Sequence, residues 1–257
     1  DKIRGKSVEE IENILGVSKN HAKMILPSVL IFQRIFDLFN ANEVWMPGTL
    51  LIDGIAAEFA KKTGIINTGH NFEEDIIASS KSLAKRYRGN SKHTTMVEKI
   101  TLCIFDAIRE VSGLKDRDRL LVQIAAILHN IGKFINMKNS DIATYNIIST
   151  GEIIGISHDE RMLVAEMSNI DTEENIYNKR DIKLAKLSAI LQIANALDRS
   201  HKQKIKDFSL ELVDNQLILE IKYMDDLSLE ILSFNSHRNF FREIFGVEFI
   251  LKQIRTF

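Results

Sequence analysis

The stretch Leu128-His129-Asn130-Ile131-Gly132-Lys133-Phe134 closes a helix whose apolar residues Leu121, Ile124, Ala125 and Leu128 recur at helical spacing. It lies near the middle of the chain and holds the one adjacent pair of side chains that looks selected for chemistry. A His followed by an Asp would read as two neighbouring metal ligands. The chain has Asn130, and an amide oxygen, being uncharged, is a poor replacement for a carboxylate on a divalent ion.

Working outward, the same period predicts helices on both sides. Phe72–Tyr87 is one. Lys92–Val111 is another, with Val97, Ile100, Ile104, Ala107, Ile108 and Val111 on one stripe and His93 at its start, pointing inward. Asn139–Ser149 reads as helical. Ser157-His158-Asp159-Glu160 is a capping box opening a helix over Arg161–Ser168. The polar run Asp171–Asn178 reads as a loop, and Asp181 caps a long helix to Asp198 with Leu187, Ile190, Leu191 and Ala194 facing inward.

Nearer the N-terminus, Ser7 and Glu10 form a capping box before Ile11, and Gly16 ends that short helix. A helix from Ser18 to Phe39 carries Leu26, Leu30, Ile31, Ile35, Leu38 and Phe39 on an apolar face. Val44-Trp45-Met46 is a strand candidate, Pro47-Gly48 a turn, and Leu50–Lys62 a helix stopped by Gly64. The best linker is 65–71. Pro27 and Pro47 are the only prolines, so long helices are permitted afterwards.

The period changes after Lys206. Phe208, Leu210 and Leu212 alternate with polar residues, Asp214-Asn215 is a turn, and Leu217, Leu219, Ile221 and Tyr223 alternate again, as do Leu227, Leu229 and Ile231. This predicts an antiparallel three-stranded meander, then a helix over Asn235–Ile244 and a strand over Val247–Ile254. The fold class is therefore mainly α, with a helical bundle and a small C-terminal α+β unit. The expected domains are 1–68, 69–205 and 206–257.

A net charge of −1 gives no global basic field for nucleic acid. The single cysteine, Cys103, excludes an intrachain disulfide and fits a reducing compartment. No apolar run is long enough for a membrane span. The opening Asp1-Lys2-Ile3-Arg4 reads as the interior of a longer sequence.

His93, His129 and Asp198 are each polar on an apolar helical face, so a bundle would bring them together. An isolated buried carboxylate is costly. Two imidazoles and two carboxylates around a divalent ion would satisfy it and would supply a metal-bound water for phosphoester attack. The plainer alternative is a set of hydrogen-bonded core residues. A second cluster is basic: Arg199, His201, Lys202, Lys204 and Lys206, with Lys133 nearby. On charge alone it reads as a solvated inter-domain turn.

Leu128–Phe134 resembles the HD-domain signature in the C-terminal half of exopolyphosphatases and guanosine pentaphosphate phosphohydrolases. So does Ala196-Leu197-Asp198-Arg199-Ser200-His201-Lys202-Gln203-Lys204-Ile205-Lys206-Asp207, with further matches at Met24-Ile25-Leu26-Pro27 and Phe245-Gly246-Val247. The resemblance runs along essentially the whole chain. It implies a degenerate HD domain: the HD aspartate falls on Asn130, a His-rich run on Met137-Lys138-Asn139-Ser140-Asp141, an Arg-Tyr-His near Met167-Ser168-Asn169, and a Gly-Leu-Arg-Glu-Gly on Leu50–Gly54. It places the family's catalytic core upstream, so no catalytic residue is expected here. The degenerate metal set is His93, His129, Asn130 and Asp198, and the polyanion set is Lys133, Arg199, His201, Lys202 and Lys204.

The implied protein is a cytoplasmic phosphoanhydride hydrolase whose C-terminal region contributes polyphosphate binding or dimerisation. Its partners are polyphosphate or guanosine polyphosphate and a second copy of itself, with no membrane and no specific nucleic acid. No tightly bound cofactor is expected, and Mg²⁺ or Mn²⁺ belongs to the full-length enzyme. The rival readings are an HD-type metal phosphohydrolase acting at His93, His129 and Asp198, and a non-catalytic scaffold for polyphosphate or nucleotide.

Overall fold

A computed structural model describes residues 3–66, 69–169, 182–223 and 226–254. The expected loop Asp171–Asn178 and the cap at Asp181 lie outside the described residues. Contacts divide the chain into two compact units, Asp1–Gly69 and His70–Phe257.

The first unit holds α1 (Val8–Leu15), α2 (Lys19–Phe39) and α3 (Leu51–Lys62). Ser7 and Glu10 form the expected reciprocal cap on α1, and Gly16 ends it in the left-handed conformation. Ser18 caps α2, which continues through Pro27. Ile11 and Ala22 are buried where α1 meets α2. The apolar stripe of α2 forms as predicted but does not become core: Leu30, Ile31, Leu38 and Phe39 are exposed. Val44-Trp45-Met46 is not a strand. Residues 41–50 are irregular, and among the described residues of this unit no strand stands ready to complete a ladder.

The second unit begins with α4 (Phe72–Arg86) and α5 (Ser91–Ala107), capped by Asn71 and Asn90. Ile108 leaves the helical region (φ −100°, ψ 8°), so the long helix expected to Val111 breaks there. A short α6 (Arg109–Ser112) follows. Next come α7 (Asp116–Leu128), a 3-10 turn over Ile131–Phe134, α8 (Ser140–Thr150), α9 (His158–Met167) and α10 (Ile182–Ala196). Ser157 and Glu160 make the expected capping box on α9. Ten of the thirteen residues of α7 are buried, and α7 packs against α4, α5, α9 and α10.

The tail holds β1 (Phe208–Val213), β2 (Gln216–Lys222), α11 (Ser228–Phe245) and β3 (Glu248–Ile254). β1 and β2 pair antiparallel with Val213 opposite Gln216. The two-residue connection Asp214-Asn215 has both φ values positive (46° and 65°), the conformation whose twist suits a tight hairpin. The predicted meander is corrected beyond this point. Leu227, Leu229 and Ile231 do not form a third antiparallel strand; α11 begins at Ser228, and β3 pairs parallel to β2. Parallel neighbours need a crossover of a dozen or more residues, and α11 supplies it. Leu227, Glu230, Phe234 and Phe241 are buried on a helical period, while Leu229 is exposed. Phe234, Phe241 and Phe249 share one continuous core with the bundle residues Ile124, Leu128 and Ile190. Among the described residues no helix is long and apolar enough to cross a membrane.

One glycine fixes the middle of the bundle. A Cβ at Gly132 would lie 2.1 Å from the Ser140 carbonyl oxygen and 2.4 Å from the Thr144 nitrogen. The Gly132 N–H also donates to Thr144 Oγ1 at 2.9 Å. Both partners are on α8, so the turn after His129 is clamped against that helix. Gly132→Ala must push backbone apart and should cost about 3 kcal/mol. A thermal melt followed by circular dichroism should show a midpoint lowered by several degrees; an unchanged midpoint would contradict the clamp.

Candidate functional site

Four of the predicted residues converge at the centre of the second unit. His93 sits in the first turn of α5, His129 caps the C-terminal end of α7, Asn130 follows it, and Asp198 lies just beyond α10. His93 and Asp198 are almost fully buried (0% and 1% exposed), and His129 is 8% exposed.

The hydrogen bonds assign the protons. His129 Nδ1 lies 2.7 Å from the Ala126 carbonyl oxygen, which can only accept, so Nδ1 carries the hydrogen and Nε2 presents a lone pair. Asn130 Nδ2 donates to that Nε2 at 2.7 Å. His93 Nε2 lies 3.1 Å from the same atom. His93 Nδ1 faces Asp198 Oδ2 at 2.8 Å, another acceptor. His93 Nδ1 therefore carries a hydrogen towards Asp198, and the two side chains form a buried hydrogen-bonded pair. His201 stacks on His93 with ring centroids 3.8 Å apart.

Asp198 also organises the turn that follows it. Its Oδ1 accepts from the Gln203 backbone N–H at 2.8 Å and its Oδ2 from Gln203 Nε2 at 3.1 Å. The His201 N–H donates to the Asp198 carbonyl at 2.9 Å. His201 and Gln203 both have positive φ (55° and 48°), and these bonds hold that unusual backbone in place. Burial pushes the Asp198 carboxyl up, but the bonds from His93 and Gln203 outweigh it and hold it below the usual range. Burial, then the positive charge of His93, drives His129 down to about 3. The same causes, with Lys133 and Arg199 adding repulsion, bring His201 to about 4.

The divalent ion that an HD domain implies does not fit these residues. The two Nε2 atoms could be neighbouring ligands, since metal–imidazole bonds of about 2.1 Å place cis nitrogens about 3 Å apart. Asp198, the one carboxylate of the predicted set, is directed elsewhere, to His93 Nδ1 and Gln203. Two imidazoles and an amide remain, a weak set for a hard divalent cation. Among the described residues no group of three or more His, Cys, Asp or Glu side chains is arranged to hold a metal.

Beside the network lies a small cavity of about 90 Å³, lined by His129, Asn130, Asp141, Met167, Ser168 and Arg199, with Gln192, Asn195, Ser233 and His237 on its other walls. Asn130, Asp141, Met167 and Ser168 all fall where the resemblance expects other residues. Departures scattered along the sequence therefore meet around one pocket.

The predicted basic cluster divides in three. Burial and then the nearby Arg199 guanidinium lower the Lys133 ammonium, with Asp141 opposing, so Lys133 lies near Arg199, which lines the cavity. Lys204 is occupied by the buried Glu230 (Nζ–Oε2 3.1 Å) and by the Asp226 carbonyl at 2.7 Å. Lys202 and Lys206 face a different groove, with Lys92 and Lys99. The sequence reading missed Gln203, because a role in a left-handed turn leaves no periodic signal. It missed Lys92 and Lys99 because only the fold brings them beside the later run.

The fold defines a helical domain closed by a buried His–Asp pair, with a small α/β tail. A family model described as Ppx/GppA phosphatase, domain III, matches residues 77–234, well over half the chain. The chain belongs to the Ppx/GppA phosphatase family. A guanosine-5'-triphosphate,3'-diphosphate pyrophosphatase of Photobacterium profundum is 22% identical over 216 residues, covering 81% of this chain and 42% of that relative. The chain thus spans less than half the relative's length.

Two outcomes follow. His129 and His201 have pKa values below the ordinary 6.5, so the unfolded chain binds more protons below that value. Stability should fall as pH drops from about 6.5 towards 4, and less steeply in His201→Gln. Urea melts at several pH values check this; parallel pH profiles for parent and variant would contradict it. Elemental analysis after Mn²⁺ loading should find clearly less than one metal per chain, and more in Asn130→Asp, which adds a carboxylate beside both Nε2 atoms. Stoichiometric metal in the parent would overturn the donor-set argument.

Proposed function

We propose that this chain is the substrate-binding C-terminal region of a phosphoanhydride hydrolase acting on polyphosphate or guanosine polyphosphate, and that it binds the polyanion without cleaving it. One observation carries the reading. Burial and then the nearby Arg199 guanidinium lower the Lys133 ammonium, with Asp141 opposing; Arg199 lines the cavity, and among the described residues neither basic side chain forms an ion pair. Two like charges held together beside a polar cavity are stabilised by an anion between them. The Photobacterium relative, by its name a guanosine polyphosphate pyrophosphatase, supports phosphoanhydride substrates. Bond cleavage is assigned to residues outside this chain, because the His–Asp network is closed by its own hydrogen bonds and offers no nucleophile. The donor set gives no support to metal-dependent hydrolysis at His93 and His129. A homodimer in the cytoplasm completes the proposal.

Calorimetry with long-chain polyphosphate and with guanosine pentaphosphate tests it, alongside phosphate-release assays with Mg²⁺ and light scattering on the same samples. Binding should be present, weaken with salt, and fall about tenfold or more in Lys133→Ala/Arg199→Ala. Phosphate release should be absent, and the scattering mass that of two chains. Turnover lost in His129→Ala would refute the non-catalytic role, and a mass of one chain the dimer.

A further inference from the structure

A cleft of about 470 Å³ is lined by α8, by Tyr87 at the end of α4, and by Ile135 and Asn136 in the turn after the 3-10 segment. α8 and its cap contribute Asn139, Ile142, Ala143, Asn146, Ile147 and Thr150. These recur every three or four residues and so form one stripe along three turns, about 16 Å long. Apolar surface gathers here: Phe134, Ile135, Met137 and Ile142 are each more than half exposed. Such a concentration on a charged, water-facing protein marks a contact site. The cleft is also preformed. The bond from the Gly132 N–H to Thr144 Oγ1 ties the turn to α8. Phe134 is held by Tyr87, edge-on with ring centroids 6.1 Å apart, and by the Arg88 guanidinium, 5.7 Å from its centroid.

The polar groups of the cleft say what would fill it. Asn136 Oδ1 accepts from the N–H groups of Lys138 and Asn139 at 2.9 and 3.1 Å, which fixes the side chain and leaves its NH₂ to donate outward. Among the described residues the side chains of Asn139 and Asn146 make no hydrogen bond. An amide offers one acceptor and two donors, the complement of a peptide group. A helix has already paired its own peptide groups, whereas an extended segment presents them open. The surrounding charge is positive. Lys85 and Arg86 end α4, Arg88 lies over Phe134, and Lys138 follows Met137. All four are exposed, and among the described residues none forms an ion pair. No acidic side chain lines the cleft, and the nearby Asp141 lines the other cavity. In a chain of net charge −1, this rim selects an acidic partner. Lipid tails would leave the amides unpaired, and a bare phosphate chain has no apolar groups for the isoleucines to cover.

We infer that this cleft docks an extended acidic peptide with apolar side chains, carried by a partner protein. Ile135, Ile142 and Ile147 cover its apolar side chains, Asn139 and Asn146 bond its main chain, and the four basic residues of the rim attract its carboxylates. A stripe of about 16 Å accommodates about five residues of extended chain. The cleft shares no lining residue with the cavity at Arg199, and the inference stands apart from the polyanion role proposed above.

The test selects a display library of random peptides on the 257-residue chain, with counter-selection on Ile142→Asp. Enriched peptides are then synthesised, labelled and titrated by fluorescence anisotropy at low and high salt, with melts confirming that each variant folds. If Ile142→Asp is unfolded, Ile142→Ser replaces it. The enriched peptides should carry Asp or Glu interspersed with large apolar residues. Their affinity should fall about tenfold or more in Ile142→Asp and in Asn139→Ala/Asn146→Ala. Arg88→Glu/Lys138→Glu should weaken binding at low salt and flatten its salt dependence. No peptide enriched on the parent chain over Ile142→Asp overturns the docking site, and enrichment of basic or uncharged peptides overturns the partner's chemistry. Full affinity in the double asparagine variant overturns the extended main-chain mode. Two further controls assign the cleft elsewhere and sink the inference: anionic phosphatidylglycerol vesicles that bind the parent chain but not Ile142→Asp, or a light-scattering mass that drops from two chains to one in that variant.

Discussion

The contact on which the second unit depends is the buried pair of Asp198 and His93. A carboxylate in an apolar interior is unstable without a partner, and Asp198 is 1% exposed. His93, 105 positions earlier in the chain, donates to it from Nδ1 at 2.8 Å. The remaining lone pairs of Asp198 take the backbone and side chain of Gln203. One side chain therefore ties the start of α5 to the end of α10 and shapes the turn beyond it. Removing one member would leave an uncompensated charge, worth about 3–5 kcal/mol. The imidazole of His129, directed by Ala126, completes the network from a third helix.

This arrangement explains how a site that resembles a metal centre can be complete in its own hydrogen bonds. Asp198 acts through His93 and the turn. Asn130 donates to His129 where a carboxylate would require a further proton. The positions that depart from the family pattern share the adjoining cavity with Arg199, so the change is one of local chemistry within the helical frame. The charge balance follows the same division. Acidic residues near the turn, such as Glu230, are buried and matched to Lys204, while Arg199 lines the cavity with Lys133 near it and the groove lysines line an open surface. A nearly neutral protein can in this way present a concentrated cationic surface.

Much of the frame was legible in the sequence. Caps at Ser7 and Ser157 and apolar stripes on α5 and α7 are local features, set by side-chain spacing and backbone donors within one turn. His93 and Asp198 were legible for the same reason, as polar residues on apolar faces. The stripe of α2 was equally clear, yet periodicity says only which side of a helix is apolar and not what covers it. Leu227, Leu229 and Ile231 fit alternation over so few residues that helix and strand could not be separated. Burial of Glu230 against Lys204 belongs to the helix, and a pattern of hydrophobicity alone treats Glu230 as a surface residue.

By itself the sequence determined the helical periods, the β1–β2 hairpin with its Asp214-Asn215 turn, and the inward place of His93, His129 and Asp198. These depend on residues within a few positions of one another. Only the tertiary structure decided that β3 lies parallel to β2, that one basic run is divided between a cavity, a buried ion pair and a groove, and that Lys92 and Lys99 join Lys202 and Lys206. Those outcomes depend on contacts between residues tens of positions apart and on the left-handed backbone at His201 and Gln203. That conformation is held by the Asp198 carboxylate at Gln203 and by the Asp198 carbonyl at His201, and neither composition nor periodicity encodes it.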